Sequence, residues 1–414
     1  MPAVSVILEV EVLIESVTLR GPSARRTLAL VCAIFLGVGV VLAGVGPALP
    51  HLAARSGQDI AALGGLFTAI SGGVVLSQLV FGPLSDRLGL ARVLAGGIVL
   101  MALGTLGVAL SAALVAMVLC ALLAGFGFGG ILVGGNLLIA ALFAARSAAA
   151  LNGANLFFGV GSMLGPALAG LAGARLGFPQ AALWVGAALL LALVPAVLLL
   201  AAPAPPPATP DAAPGERGRA GELWLLGLLL LFYTGTEVGF GGWVTVYLLR
   251  GAAFEPALGA LVASGFWLAL TAGRGLGALL GLRLAPSRLL ALGLLGMLAG
   301  ATLLTLSAGA PAPTIAGVLL FGLSCGPVFP TLMSVITTAA RGSGARTGLA
   351  LGIGNSGGLI IPALLGLLLS RYGPTAMAAT LLGTASIMLA LCAAVALAGR
   401  PPRPAAHASA NPEA

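Results

Sequence analysis

Long apolar stretches separated by short polar gaps run from residue 28 almost to the end of the chain. A helix that crosses hydrocarbon needs about 20 apolar residues. Runs of that length fall near 28–48, 61–82, 91–110, 113–140, 149–173, 180–201, 222–249, 257–280, 287–308, 313–339, 346–369 and 376–399. The pattern predicts an all-α membrane protein with twelve transmembrane helices, and an even number returns both termini to one side of the bilayer.

Arginine decides which side. With the N-terminus inside, the cytosolic segments collect Arg20, Arg25, Arg26, Arg87, Arg92, Arg146, Arg217, Arg219, Arg283, Arg288, Arg341, Arg346, Arg400 and Arg403. The outer segments hold Arg55, Arg175, Arg250 and Arg371. Basic residues concentrate on the cytosolic side of membrane proteins, so both termini are expected there. The remaining arginine, Arg274, lies inside a span.

The apolar rhythm breaks once, at Pro203-Ala204-Pro205-Pro206-Pro207 and the mixed-charge residues that follow. A proline-rich, solvated stretch is a semi-rigid linker. It divides the chain into an N-terminal tail (1–27), a first six-helix bundle (28–201), a cytosolic linker (202–221), a second six-helix bundle (222–399) and a C-terminal tail (400–414). An internal repeat supports the division: Gly165 to Gly177 aligns with Ile361 to Gly373, with seven of thirteen positions identical. Both copies end the fifth span of their half, which is the signature of a duplicated transporter unit.

Composition excludes several classes of function. Hydrophobic residues make up 59 % of the chain and charged residues 7 %, against about a quarter charged in a soluble globule. The net charge of +8 is carried entirely by scattered arginines, with no lysine, so it reflects membrane orientation and no nucleic-acid partner is expected. Cys32, Cys120, Cys325 and Cys392 lie far apart inside apolar runs and read as packing residues. His51 and His407 fall in a loop and a tail, and no nucleophile or metal-ligand cluster is present in the sequence. Neither an enzyme nor a cofactor is therefore expected. Residues Met1 to Gly21 carry Glu9, Glu11 and Glu15 and lack the basic start of a signal peptide.

The gap after the second run reads Gly82-Pro83-Leu84-Ser85-Asp86-Arg87-Leu88-Gly89-Leu90-Ala91-Arg92. Gly82 and Gly89 permit a sharp turn and close backbone approach, while Asp86, Arg87 and Arg92 can bond helix ends. Here the chain resembles the major facilitator superfamily, whose signature between helices two and three is Gly-x-Leu-x-Asp-Arg-x-Gly-Arg-x-Arg; it departs at Leu90, where that family usually has a basic residue. The resemblance implies a gating network that stabilises one conformation of the transport cycle. Further segments are similar to the fucose-permease-like branch: Gly125 to Gly129 through Asn136, Leu151 to Gly159, Tyr233 to Tyr247, Phe266-Trp267 with Gly273-Arg274, Gly326 to Thr331, and Gly354-Asn355. That branch implies sugar transport, commonly with protons or sodium.

The residues carry a reading of their own. Glu237 sits well inside the seventh run, where an unpaired charge costs several kcal/mol or more unless it faces a cavity or a partner. Tyr233 and Glu237 are i,i+4 neighbours, as are Trp243 and Tyr247, and a helical wheel sets all four on one broad face. Aromatic rings beside a hydrogen-bonding acid suit a sugar; an interfacial aromatic belt is the alternative for Trp243 and Tyr247. Gly239, Gly241 and Gly242 open the helix to bending or unwinding. In the eighth run Ser264, Trp267, Thr271 and Arg274 form a stripe, with Arg274 either facing the cavity or snorkelling to the cytosolic edge. Asn136, Asn155 and Asn355 are the further candidates to meet solute hydroxyls, or to link helices.

These residues point to a secondary transporter moving a sugar-like solute by alternating access, as a monomer in the cytoplasmic (inner) membrane. A coupling ion is expected, H+ or Na+, with uncoupled passage left open. The alternative is a proton-coupled drug or metabolite antiporter, suggested by Gly161-x-x-x-Gly165-Pro166-x-x-x-Gly170, a pattern that close helix packing also explains.

Overall fold

The computed structural model describes residues 22–143, 147–200, 220–251, 254–307, 309–340 and 344–398. The expected N-terminal tail up to Gly21, almost all of the linker and the C-terminal tail lie outside these residues. Thirteen helices occupy the described chain: α1 (Pro22–Ser56), α2 (Gly64–Leu88), α3 (Leu90–Leu110), α4 (Leu114–Phe143), α5 (Ser147–Leu176), α6 (Ala181–Leu198), α7 (Ala220–Gly251), α8 (Pro256–Gly281), α9 (Pro286–Leu306), α10 (Pro311–Cys325), α11 (Val328–Ala339), α12 (Gly344–Tyr372) and α13 (Pro374–Ala398). Among the described residues helix is the only regular secondary structure, and the protein is integral to the membrane. Eleven helices are long and apolar enough to cross it, with α10 and α11 together forming one of them. In α2 the apolar stretch so described, Gly64–Ser77, is shorter.

Helix boundaries follow local chemistry. Pro256, Pro286 and Pro311 open α8, α9 and α10, where a missing N–H costs nothing. The two copies of the internal repeat end alike: Gly177 closes α5 at φ 63° and Gly373 closes α12 at φ 82°. Gly89 takes φ 83° between α2 and α3, so the turn expected from the sequence is formed there.

Packing repeats as the sequence does. In the first set α1 packs on α5 and α6, α3 on α4 and α6, and α2 on α4. In the second set α7 packs on α12 and α13, α9 on α10 and α13, and α8 on α10. Each of these contacts has its counterpart six helices later, with α10 and α11 counted as one. In lipid the hydrophobic effect does not press helices together, so small residues that admit close backbones carry the association. Gly161 abuts the Leu36 carbonyl of α1, and in the second set Gly357 abuts the Leu231 carbonyl of α7.

The two sets meet through α2 with α12, α5 with α8, and α1 with α7. Gly46 lies against the Gly242 carbonyl, the Thr68 hydroxyl donates to the Leu359 carbonyl at 2.9 Å, and Gly170 packs on Ala260. These contacts gather towards the end where α1 finishes and α2 begins.

Candidate functional site

The acid that needed a partner has one. Glu237 of α7 pairs with Arg274 of α8, with Nη2 and Oε1 3.3 Å apart and side-chain exposures of 26 % for Arg274 and 13 % for Glu237. Of the two placements open for Arg274, the structure takes the inward one. A charge in a low-dielectric surround gains more from a fixed counter-charge than from reaching an edge several ångströms away. The pair is a single contact rather than a bidentate fork, which leaves further guanidinium N–H groups directed elsewhere.

Tyr233 lies one turn before Glu237 and is fully buried. Its hydroxyl donates to the carbonyl of Cys325, the last residue of α10, at 2.9 Å. Its ring sits 6.3 Å from that of Phe329 in the first turns of α11. The tenth span is interrupted at Gly326–Pro327, where α10 gives way to α11. The cause is legible in retrospect: Pro327 and Pro330 supply no N–H to the carbonyls four residues before them, Leu323 and Gly326. Gly326 also abuts the α8 backbone at Leu270 and Arg274, which brings the interruption against the ion pair. The sequence displays these residues, but not that the break they cause lies against the ion pair.

The expected loosening of α7 at its glycines does not occur. The helix runs unbroken from Ala220 to Gly251. Its glycines serve approach instead: Gly239 faces Pro362 and Leu365 of α12, Gly241 the Trp267 ring at 2.6 Å from its missing Cβ, and Gly242 the Phe67 ring. The discontinuity is in the tenth span because proline removes hydrogen bonds outright, whereas glycine only lowers helix propensity.

The aromatic face expected along α7 is also divided. Trp243 is completely buried, donates its indole N–H to the Pro362 carbonyl of α12 at 2.8 Å, and meets Phe67 of α2 edge-on at 5.7 Å. It belongs neither to an interfacial belt nor, in this conformation, to an open surface. Tyr247 is buried too, with its hydroxyl 3.4 Å from the Leu304 carbonyl of α9 and its ring edge-on to Phe240. Residues that share a face on a wheel meet different helices here because a 32-residue helix crosses several neighbours along its length.

Along α8, Ser264 and Thr271 spend their hydroxyls on the carbonyls of Ala260 and Trp267. Trp267 lies two turns from Arg274, and its buried indole N–H has no partner among the described residues. The Thr234 hydroxyl, buried just before Glu237, is likewise unpartnered among them. Thr234 was not singled out by sequence. Asn136 of α4 and Asn155 of α5 are exposed, with Asn155 donating to its own helix at Leu151, and Asn355 of α12 is partly buried. The structure does not gather these amides around Glu237 through any hydrogen bond described. Arg87 and Arg92 are exposed at the α2–α3 turn, while the surroundings of Gly82 and the Asp86 side chain lie outside what the structure describes. A shallow groove on α9 lined by Leu295, Leu298, Ala299, Thr302, Leu303 and Leu306 is apolar and includes none of these groups.

A membrane-embedded acid–arginine pair within one of two duplicated helix sets has a known setting. The Major Facilitator Superfamily model matches residues 29–362. The chain belongs to this superfamily. It is thus a transporter-family protein and not an enzyme, in a fold whose members bind small-molecule solutes within the membrane. No curated protein sequence matches it. Among solved structures, a mutant of the nucleoside transporter NupG superposes with a TM-score of 0.72 at 15 % identity, covering 91 % of this chain and 100 % of the other. A bacterial homologue of the human lysosomal transporter Spinster, inward-facing and occupied, gives 0.70 at 15 % identity over 92 % and 97 %. A variant of the E. coli fucose:proton symporter FucP gives 0.61 at 17 % identity over 90 % and 99 %. At these identities the likeness is one of fold.

Proposed function

We propose that the protein is a secondary active transporter that moves a neutral, sugar-like solute across the cytoplasmic membrane by alternating access, coupled to an ion. The observation that carries this reading is the Glu237–Arg274 pair, with the unpartnered indole N–H of Trp267 two turns away along α8. The pair offers both acceptors and donors while its net charge is zero, which suits hydroxyl groups. Trp267 adds an apolar ring face for a sugar's C–H surface. A cationic drug, the alternative cargo, needs an acid free to receive it, and Arg274 already occupies this one. The names of two solved structures of the same fold, a nucleoside transporter and a fucose:proton symporter, agree with a sugar-bearing cargo.

In this reading twelve spans form two six-helix bundles, 28–201 and 222–399, joined by a cytosolic linker at 202–221, with both termini cytosolic and the monomer as the working unit. The contacts at Gly46, Thr68 and Trp243 then close the outer end, and the solute path opens to the cytosol. Exposed amides inside apolar spans are costly against lipid, so Asn136 and Asn155 line that path, with Asn355 at its edge. Glu237 carries the coupling proton, with Na+ the other candidate ion. Gly82, Asp86, Arg87, Gly89 and Arg92 stabilise one state of the cycle.

The test is uptake of labelled hexoses, polyols and nucleosides into proteoliposomes under imposed proton or sodium gradients. Saturable, gradient-driven uptake of one of them is expected, abolished by Glu237→Gln. Transport of cationic drugs with no uptake of any hydroxylated solute overturns the proposal.

A further inference from the structure

Tyr233 stands where three elements of the site meet. Its hydroxyl donates to the Cys325 carbonyl at the end of α10. The Glu237 carboxylate, held by Arg274, lies one helical turn further along the same face of α7, where i,i+4 side chains are neighbours. A phenol has one proton, so it serves one of these two acceptors at a time. While Arg274 holds Glu237, the carboxylate has a donor and the phenol is free to serve the carbonyl.

We infer that Tyr233 is a positioning residue that reports the state of the ion pair to the interruption of the tenth span. When Arg274 is drawn away from Glu237, the carboxylate recruits the phenolic proton because an ionised acceptor binds a donor more strongly than a carbonyl does. The Cys325 carbonyl then loses its donor at a point where Pro327 and Pro330 already deprive the chain of hydrogen bonds. The α10–α11 junction loosens, and the Phe329 ring that rests against Tyr233 is released with it. The inference rests on Glu237 and Arg274 lying in the solute path, but not on which solute they meet.

The test needs no solute, because Cys325 lies at the junction and is fully buried. In the full chain with Cys32, Cys120 and Cys392 replaced by alanine, the rate of Cys325 alkylation by N-ethylmaleimide is measured in nanodiscs. Arg274→Gln is expected to raise the rate about fivefold, the equivalent of one net hydrogen bond. Tyr233→Phe, which keeps the ring, raises it by a similar factor. The double variant is no faster than the faster single one, since both changes free the same carbonyl, and Arg274→Lys restores the parent rate. Multiplying effects in the double variant, or an unchanged rate in Arg274→Gln, overturn the inference. Hydrogen exchange at the Phe329, Thr331 and Leu332 amides gives a second readout for any variant whose thiol labelling reflects poor folding: protection across the whole helix set falls in that case, and at the junction alone if the inference holds. Failure of sugar uptake would leave these labelling outcomes untouched, so the two readings fail separately.

Discussion

Replacing Glu237 or Arg274 singly strands a charge inside the membrane, and the cost follows from the geometry. Two unit charges 3.3 Å apart attract by about 5 kcal/mol at an effective dielectric near 20. Arg274 keeps 26 % of its side-chain surface exposed and Glu237 13 %, so water at that edge and the desolvation of both groups reduce the net value to about 2–3 kcal/mol. A double-mutant cycle of Glu237→Gln, Arg274→Gln and the two together isolates it. Reversible unfolding in mixed micelles is the assay. Each single variant is expected to lose more stability than the double, in which no charge is left unpaired. A coupling energy below about 0.5 kcal/mol, the level seen for independent sites, would show that the two groups do not hold one another and would refute the electrostatic argument for the site.

Other expectations concern packing and gating. Gly161→Leu and Gly357→Leu force a side chain onto the carbonyls of Leu36 and Leu231 and should cost about 1–3 kcal/mol each or more, read as lower thermal stability. Gly383→Ala in α13 has open space around its Cβ and should instead stabilise by about 1 kcal/mol; an equal loss at all three sites would defeat the close-packing account. Trp243→Ala removes the indole bond to Pro362 and the contact with Phe67, so a membrane-impermeant thiol reagent added outside should label an Ala363→Cys reporter faster than in the parent. Unchanged labelling would mean that Trp243 does not close that end. Glu237→Gln should remove the pH dependence of solute exchange together with gradient-driven uptake; a retained pH profile would assign the coupling proton elsewhere.

Much of the architecture was legible in the chain because bilayer thickness imposes a length on every element. Apolar runs of about 20 residues become helices since no other open backbone is satisfied in lipid, and the repeat at Gly165 and Ile361 announced a duplication that the packing reproduces down to the positive φ of Gly177 and Gly373. Glu237 was identifiable from cost alone, as a charge where charges are expensive. Sequence could not say which neighbour meets which face. It set Tyr233, Trp243 and Tyr247 on one surface, whereas along a 32-residue helix they reach α10, α12 and α9. It placed flexibility at the glycines of α7, although the prolines after Gly326 were the stronger breakers and were in plain view.

The sequence by itself determined the class of the molecule, eleven of its apolar spans and its internal repeat, for these follow from local hydrophobicity and from similarity between distant stretches of one chain. The tertiary structure alone decided that Arg274 turns inward to Glu237, that Trp243 is sealed between helices, and that Tyr233 reaches the broken tenth span. Those facts depend on which backbones approach one another through glycine contacts, and no periodicity along a single helix encodes its partners.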